Sequence, residues 1–203
     1  MDVVQSIALS AGLAWASGLR LYLVVFLAGL MARLGTLHLP ESLHVLQHPL
    51  VMAVAATLAL VELVADKVPA FDSLWDSIQT FIRIPAGALL AAFALGDVDP
   101  AWTLTAGLLG GSITAGTHFA KAGGRLAINA SPEPFSNWLA SFGEDGLVLG
   151  GVWAMAAAPL LFLGLLLAFL VLAAWLLVRL GSLLGRWRAS PGTDRCNKST
   201  KKR

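Results

Sequence analysis

Apolar residues fall in long, nearly uncharged blocks, separated by short clusters that concentrate Pro, Gly and charge. Blocks of this length suit helices crossing about 30 Å of hydrocarbon at roughly 1.5 Å of rise per residue. The first covers residues 7–32 and is closed by Arg33 and Gly35. Gly12, Ser17-Gly18 and a cation, Arg20, interrupt it. A charge that central must face protein or water, or the helix must be broken there. A connector over residues 36–48 contains Pro40 and three histidines, His38, His44 and His48. The second run, residues 49–65, is at the lower length limit for a span.

Pro69 stops that helix, and Asp72 is placed to cap a new one over residues 72–82. Pro85 begins another apolar piece, residues 85–95. Neither piece is long enough to cross alone, so together they predict a re-entrant hairpin or a broken span. An acidic turn, Asp97-Val-Asp99-Pro100, leads into a Gly-rich span over residues 101–120. Then come Lys121 to Arg125, the segment from Asn129 to Pro134, a short amphipathic piece over residues 135–142, and Glu144-Asp145. The apolar run 146–184 is too long for one span and divides at Pro159. It reads as a half-length piece followed by a complete span. The fold class is therefore all-α, a polytopic transmembrane bundle with broken or re-entrant helices, about four full spans and two interrupted elements.

A shift of 63 positions superimposes Pro69 on Pro132, Ser73 on Ser136, Trp75 on Trp138 and Gly87 on Gly150. This pattern fits an internal repeat with halves over residues 49–96 and 112–159. Paired broken helices in two halves point to a transporter site at the repeat interface. The same shift sets Glu62 on Arg125 and Asp66 on Asn129, and brings Arg83 beside Asp145. The expectation is that Glu62 pairs with Arg125, and Arg83 with Glu144 or Asp145, at the bundle centre.

Composition agrees with the pattern: 57% of the 203 residues are hydrophobic and only 13% are charged. The mean hydropathy is +0.76. Residues 1–185 read as one transmembrane domain. Seven of the fourteen Lys and Arg residues lie between Arg186 and Arg203, opposed only by Asp194. Residues 186–203 read as a disordered polybasic tail that lies on the cytoplasmic side and meets anionic headgroups. The acidic turn Asp97 to Asp99 is placed outside and the Arg33 end of the first span inside. So short a tail is not read as nucleic-acid binding. The single Cys196 excludes an internal disulfide. The N-terminus lacks a cleavable signal pattern, so the first segment is read as a retained span. Among seven Trp residues, Trp15, Trp102, Trp153, Trp175 and Trp187 fall near span ends or within spans, facing lipid or an aromatic belt.

Ionisable groups within hydrocarbon are costly and mark ions, substrates or each other. The candidate pathway residues are Arg20, Glu62, Asp66, Asp72, Asp76, Arg83, His118, Lys121, Arg125, Asn129, Glu133, Glu144 and Asp145. Asp72 and Asp76, four apart on one helical face, are the candidate metal ligands, able to hold Mg²⁺ against a diphosphate. His44 and His48 would share a helical face but have no acidic or Cys partner at matching spacing, and are read as interfacial. No residue set points to a cofactor.

Several of these stretches resemble a known family. They are Ala16-Ser-Gly-Leu-Arg20-Leu-Tyr22, Glu62-Leu-Val-Ala-Asp66-Lys67-Val-Pro69 and Asp72-Ser-Leu-Trp75-Asp76 with Thr80-Phe-Ile-Arg83-Ile-Pro85-Ala-Gly87. Thr117-His118-Phe-Ala-Lys121, Arg125 and Asn129-Ala-Ser-Pro-Glu133-Pro-Phe-Ser-Asn137 complete the set. Together they resemble the bacterial membrane family catalogued as domain of unknown function 4126, from the first span to about Gly151. The resemblance implies an integral membrane protein and carries no substrate, cofactor or catalytic residue. A bacterial inner-membrane location follows from it.

Three functions fit these residues. A small transporter or channel with a charged intramembrane site is favoured, its cargo an anionic lipid, a small anion or a cation. His118, whose ordinary pKa lies near neutrality, could relay protons. A membrane-embedded metal-dependent enzyme acting on a phosphate-bearing lipid would use Asp72, Asp76 and Arg83, although the fuller Asp-rich signatures are missing. The Gly-rich span would equally serve a non-transporting scaffold or a homo-oligomer.

Overall fold

A computed structural model describes residues 2–67, 69–129 and 134–188. Every regular element among them is helical: α1 (Val3–Arg33), a 3-10 turn (Glu41–Gln47), α2 (Pro49–Ala65), α3 (Pro69–Ala94), α4 (Pro100–Asn129), α5 (Pro134–Ala157) and α6 (Pro159–Arg188). The all-α bundle read from the sequence is what forms. Among the described residues, α1, Leu74–Ala94 of α3 and Pro159–Leu176 of α6 are long and apolar enough to cross a membrane. The 3-10 turn and α2 meet at 65° and make a fourth such element if taken together.

The outer surface is the apolar one. Leu60, Val64, Phe81, Leu104, Leu108 and Leu167 are exposed, whereas Arg20, Glu62, Asp66 and Arg83 are buried. Polar groups turned inward and apolar groups turned outward are what hydrocarbon surroundings select. This is a membrane protein.

The breaks do not fall where the sequence pattern put them. α3 is continuous through Pro85, correcting the division of residues 72–95 into two short pieces. Proline removes only the one hydrogen bond to the Phe81 carbonyl, and packing against α4 and α1 along α3 holds the helix together. At 26 residues it is about 39 Å long, enough to cross. α5 likewise joins residues 135–142 and 146–157 in one helix, because Glu144 and Asp145 turn inward to cations instead of ending it. The long apolar run does divide before Pro159, with Ala158 outside both helices. α6 continues to Arg188, so Arg186 and Arg188 are helical and not part of the tail; residues 189–203 lie outside the described residues.

α1 occupies the centre and packs against every other helix. It is interrupted at Arg20, where φ is −147° and ψ is 77°, and this central cation also faces protein, so both ways of accommodating it are used. Its first half is lined with Ala, Ser and Gly and is buried on all sides from Gly12 to Leu21. Gly18 permits a close approach to α4: a Cβ there would lie 2.6 Å from the Thr114 carbonyl oxygen and 2.7 Å from Thr117 Cβ. Thr114 Oγ1 donates to the Ala14 carbonyl at 2.8 Å, fastening α4 to α1. Trp15 is not at a lipid boundary. It is buried, edge-on to Phe162 and Phe169 of α6, with centroids 5.9 Å away in each case. α1 closes at Gly35, whose φ of 73° is the left-handed geometry glycine adopts without penalty.

The Gly-rich face of α4 is used inside the molecule. Gly107, Gly110 and Gly111 lie against Ala92, Ala91 and Ala88 of α3. Small residues on both helices let the backbones close up and bring the polar segments of α3 and α4 together.

Candidate functional site

Five helices each carry charge or polar side chains to one buried cluster. α1 supplies Arg20, α2 supplies Glu62 and Asp66 at its C-terminal end, and α3 supplies Asp76 and Arg83. α4 supplies His118, Lys121 and Arg125, and α5 supplies Asn137, Ser141, Glu144 and Asp145.

Asp66 is the hub. One of its oxygens, Oδ2, receives Arg20 Nη1 at 2.7 Å, Lys121 Nζ at 3.1 Å and Arg125 Nη2 at 3.5 Å. Its backbone carbonyl, freed at the end of α2, accepts from Arg125 Nη1 at 3.3 Å and Asn137 Nδ2 at 3.1 Å. Arg20 also pairs through Nε with Asp145 at 2.9 Å and donates to Ser141 Oγ at 2.9 Å. Lys121 donates to the Leu19 carbonyl at 3.2 Å, so the break in α1 supplies a backbone acceptor. Arg125 grips Glu144 with two parallel bonds of 2.9 and 3.0 Å, the bidentate geometry that makes arginine–carboxylate pairs strong.

A second centre surrounds Arg83. It pairs with Glu62, and its Nη1 lies 3.2 Å from both Asp76 Oδ1 and His118 Nδ1. Lys121 joins the two centres, 3.6 Å from Asp76 Oδ1 and 3.4 Å from Glu144. Beside them Gln79 donates to Tyr22 Oη at 3.1 Å.

The pairing expected from the shifted halves is exchanged. Glu62 meets Arg83 instead of Arg125, and Arg125 meets Glu144. The reason lies in the helix geometry. Glu62 and Arg83 are on consecutive helices whose ends near Asp66 and Pro69 adjoin, whereas the sequence shift carries no information about which faces oppose. Ten of the thirteen candidate residues come together. The side chains of Asp72 and Asn129, and all of Glu133, lie outside the described residues.

The chain matches the family model described as a domain of unknown function, DUF4126, over residues 7–179. It belongs to the DUF4126 family. No curated protein and no solved structure matches it. In this DUF4126 chain the match extends past Gly151, through α6 to Arg179, and takes in every described member of the cluster.

Five polar members escaped the sequence reading: Tyr22, Gln79, Thr80, Asn137 and Ser141. They carry no formal charge, so a search for charge in apolar runs passes over them. Tyr22, Thr80 and Asn137 each lie at one end of a motif stretch, and Tyr22 is the only Tyr in the chain.

Two hollows reach the cluster from different members. One, of about 360 Å³, lies among α1, α2 and α5. Its walls are apolar, including Phe26, Leu60 and Leu149, and Arg20 and Asp145 line it too. The other, of about 250 Å³, lies between α3 and α4, with Asp76, Thr80, His118 and Arg125 in its lining. They share no lining residue. Among the described residues no group of three His, Cys, Asp or Glu side chains is arranged to hold a metal ion. Asp76 is engaged by Arg83 and Lys121, and His48 caps α2 by accepting from the Leu50 amide at 3.2 Å. The chemistry this arrangement supports is the exchange of ions, protons and hydrogen bonds among groups already paired.

Proposed function

We propose that this protein is a small transporter or channel whose pathway passes through the Asp66 and Arg83 centres. The observation that carries the reading is the pair of separate hollows ending on different members of one buried charge cluster. Buried ion pairs add little net stability, because desolvation offsets their attraction. A cluster joining five helices is therefore better accounted for by passage than by scaffolding. The break in α1 at Arg20 supports the same reading, since interrupted helices in membrane proteins line sites for cargo. Consistent with it, α2–α3 and α4–α5 form two successive helix pairs of corresponding order, as an internal duplication would give.

The protein is placed in the inner membrane of a bacterium as a multi-pass chain, with its polybasic C-terminus in the cytoplasm against anionic headgroups. The exposed apolar faces of α4 and α6 leave room for a second copy beside it.

Flux through vesicles containing the purified protein tests the reading, with phospholipid, polyprenyl phosphate, small anions and mono- and divalent cations as cargo. One of these classes should cross faster than in empty vesicles, and Asp76→Asn should abolish the excess while the protein stays folded. Rates equal to empty vesicles for every class would sink the proposal and leave a scaffold.

A further inference from the structure

We infer that His118 is a proton-binding site held closed by Arg83, and that proton uptake moves Arg83 fully onto Glu62 and leaves Asp76 paired with the imidazolium. The inference rests on the transport reading and names the proton as its coupling ion.

Hydrogen-bond direction assigns the resting state of the ring. Thr80 Oγ1 is 2.9 Å from the Asp76 carbonyl, which can only accept, so the single hydroxyl proton points there. The same oxygen lies 2.7 Å from His118 Nε2 and must accept from it. Arg83 Nη1, 3.2 Å from His118 Nδ1, has no lone pair to offer. The ring is therefore neutral, with its proton on Nε2 and its Nδ1 lone pair covered by a guanidinium. A proton arriving from the 250 Å³ hollow bonds to Nδ1 only when the Arg83 bond to that atom is released; no covalent bond breaks.

The second arrangement is already provided for. Arg83 Nε and Glu62 Oε2 are both buried without hydrogen-bond partners, although the two side chains touch through Nη2 and Oε1. A small rotation of the guanidinium completes a two-bond pair with Glu62 and withdraws Nη1 from His118. Asp76 Oδ2 is also buried and unpartnered, and it becomes the acceptor for the protonated ring. Three orphaned atoms in the resting state are thus the ones the alternative state uses. Buried polar atoms left unpaired cost free energy, so the two arrangements are brought close in energy.

The charged groups facing the ring are Asp76 and Arg83 from α3 and Lys121 on its own helix, with Arg125 lining the same hollow; Glu62 of α2 is reached through Arg83, and Asp66 and Arg20 through Lys121. With His118 neutral, the described cluster holds four cations (Arg20, Arg83, Lys121, Arg125) against five carboxylates (Glu62, Asp66, Asp76, Glu144, Asp145). One added proton balances it.

Solid-state nitrogen NMR of the full chain in bilayers, with labelled His and Arg and His118→Gln for assignment, tests this. Near pH 8 the ring should carry its proton on Nε2 alone. As pH is lowered stepwise to about 3, well past the ordinary histidine range, Nδ1 should gain a proton and the Arg83 Nε signal should move in the same step. In Glu62→Gln the Arg83 signal should no longer follow the ring. A proton on Nδ1 at pH 8, a ring still neutral at about pH 3, or an Arg83 signal that stays still in the wild type would each overturn the inference. Should Glu62→Gln fail to fold, the wild-type measurements decide alone. Flux without a His118 response removes this inference and leaves the transport reading standing; the response without flux does the reverse.

Discussion

Arg20 Nη1 lies 2.7 Å from Asp66 Oδ2, joining the break in α1 to the end of α2. Each residue sits at a helix discontinuity. Arg20 has non-helical torsions, and Asp66 follows the last helical residue of α2. The contact fixes two helix discontinuities against each other and gathers Lys121 and Arg125 around one carboxylate oxygen.

Asp66→Asn keeps the shape of this hub and removes its charge. Three cations then lose the carboxylate oxygen nearest their centre and keep only Glu144 in common, and the fold should lose up to about 3–5 kcal/mol, the usual cost of stranding a buried charge. Asp145→Asn should cost clearly less, because Asp145 remains 21% exposed and water can screen the loss. Denaturation in detergent micelles, followed by circular dichroism, gives both values. Equal losses would show that Asp66 is not the hub.

The exchanged pairing is open to a double-mutant cycle. Glu62→Gln and Arg83→Gln should couple by about 0.5–3 kcal/mol, and by more than Glu62→Gln couples to Arg125→Gln. A larger coupling to Arg125 would restore the pairing suggested by the shifted halves.

Gly18→Ala places a methyl group against the Thr114 carbonyl and Thr117, both on α4. Overpacking of this kind costs about 1–3 kcal/mol. Gly116→Ala, with nothing within 4 Å of the new Cβ, should be neutral or stabilising, since alanine is favoured over glycine in a helix by up to about 1 kcal/mol. Thermal unfolding of the two variants distinguishes a close helix contact from a general intolerance of substitution.

Tryptophan quenching by brominated lipids separates the interior from the lipid face. Trp102, Trp153 and Trp175 are more than half exposed and should be quenched, whereas Trp15, shielded by Phe162 and Phe169, should not. Single-Trp variants read each position. Strong quenching of Trp15 would mean that α6 does not cover α1.

Long apolar runs, inward charges and the prolines that open α2 and α6 could be read directly from the chain, because each is a local property of spacing and residue type, whereas Pro69, read as a stop before a helix capped by Asp72, in fact opens α3. The break at Arg20 was one of the two outcomes open to a cation in the middle of an apolar run, the other being burial against protein. Pro85 and Glu144-Asp145 misled for the same reason. Locally they look like stops, but α4 packs along α3 past Pro85, and Arg20 and Arg125 meet the two carboxylates of α5.

What the chain determined unaided was that a membrane protein would hide charge of both signs, and which residues would carry it. Which carboxylate meets which cation was decided by tertiary structure alone. Glu62 finds Arg83, and His118 comes to rest between Arg83 and Thr80, only once small residues let α1, α3 and α4 close on one another. Partner choice over a few ångströms depends on helix rotation and separation, which a linear pattern of residue types does not encode.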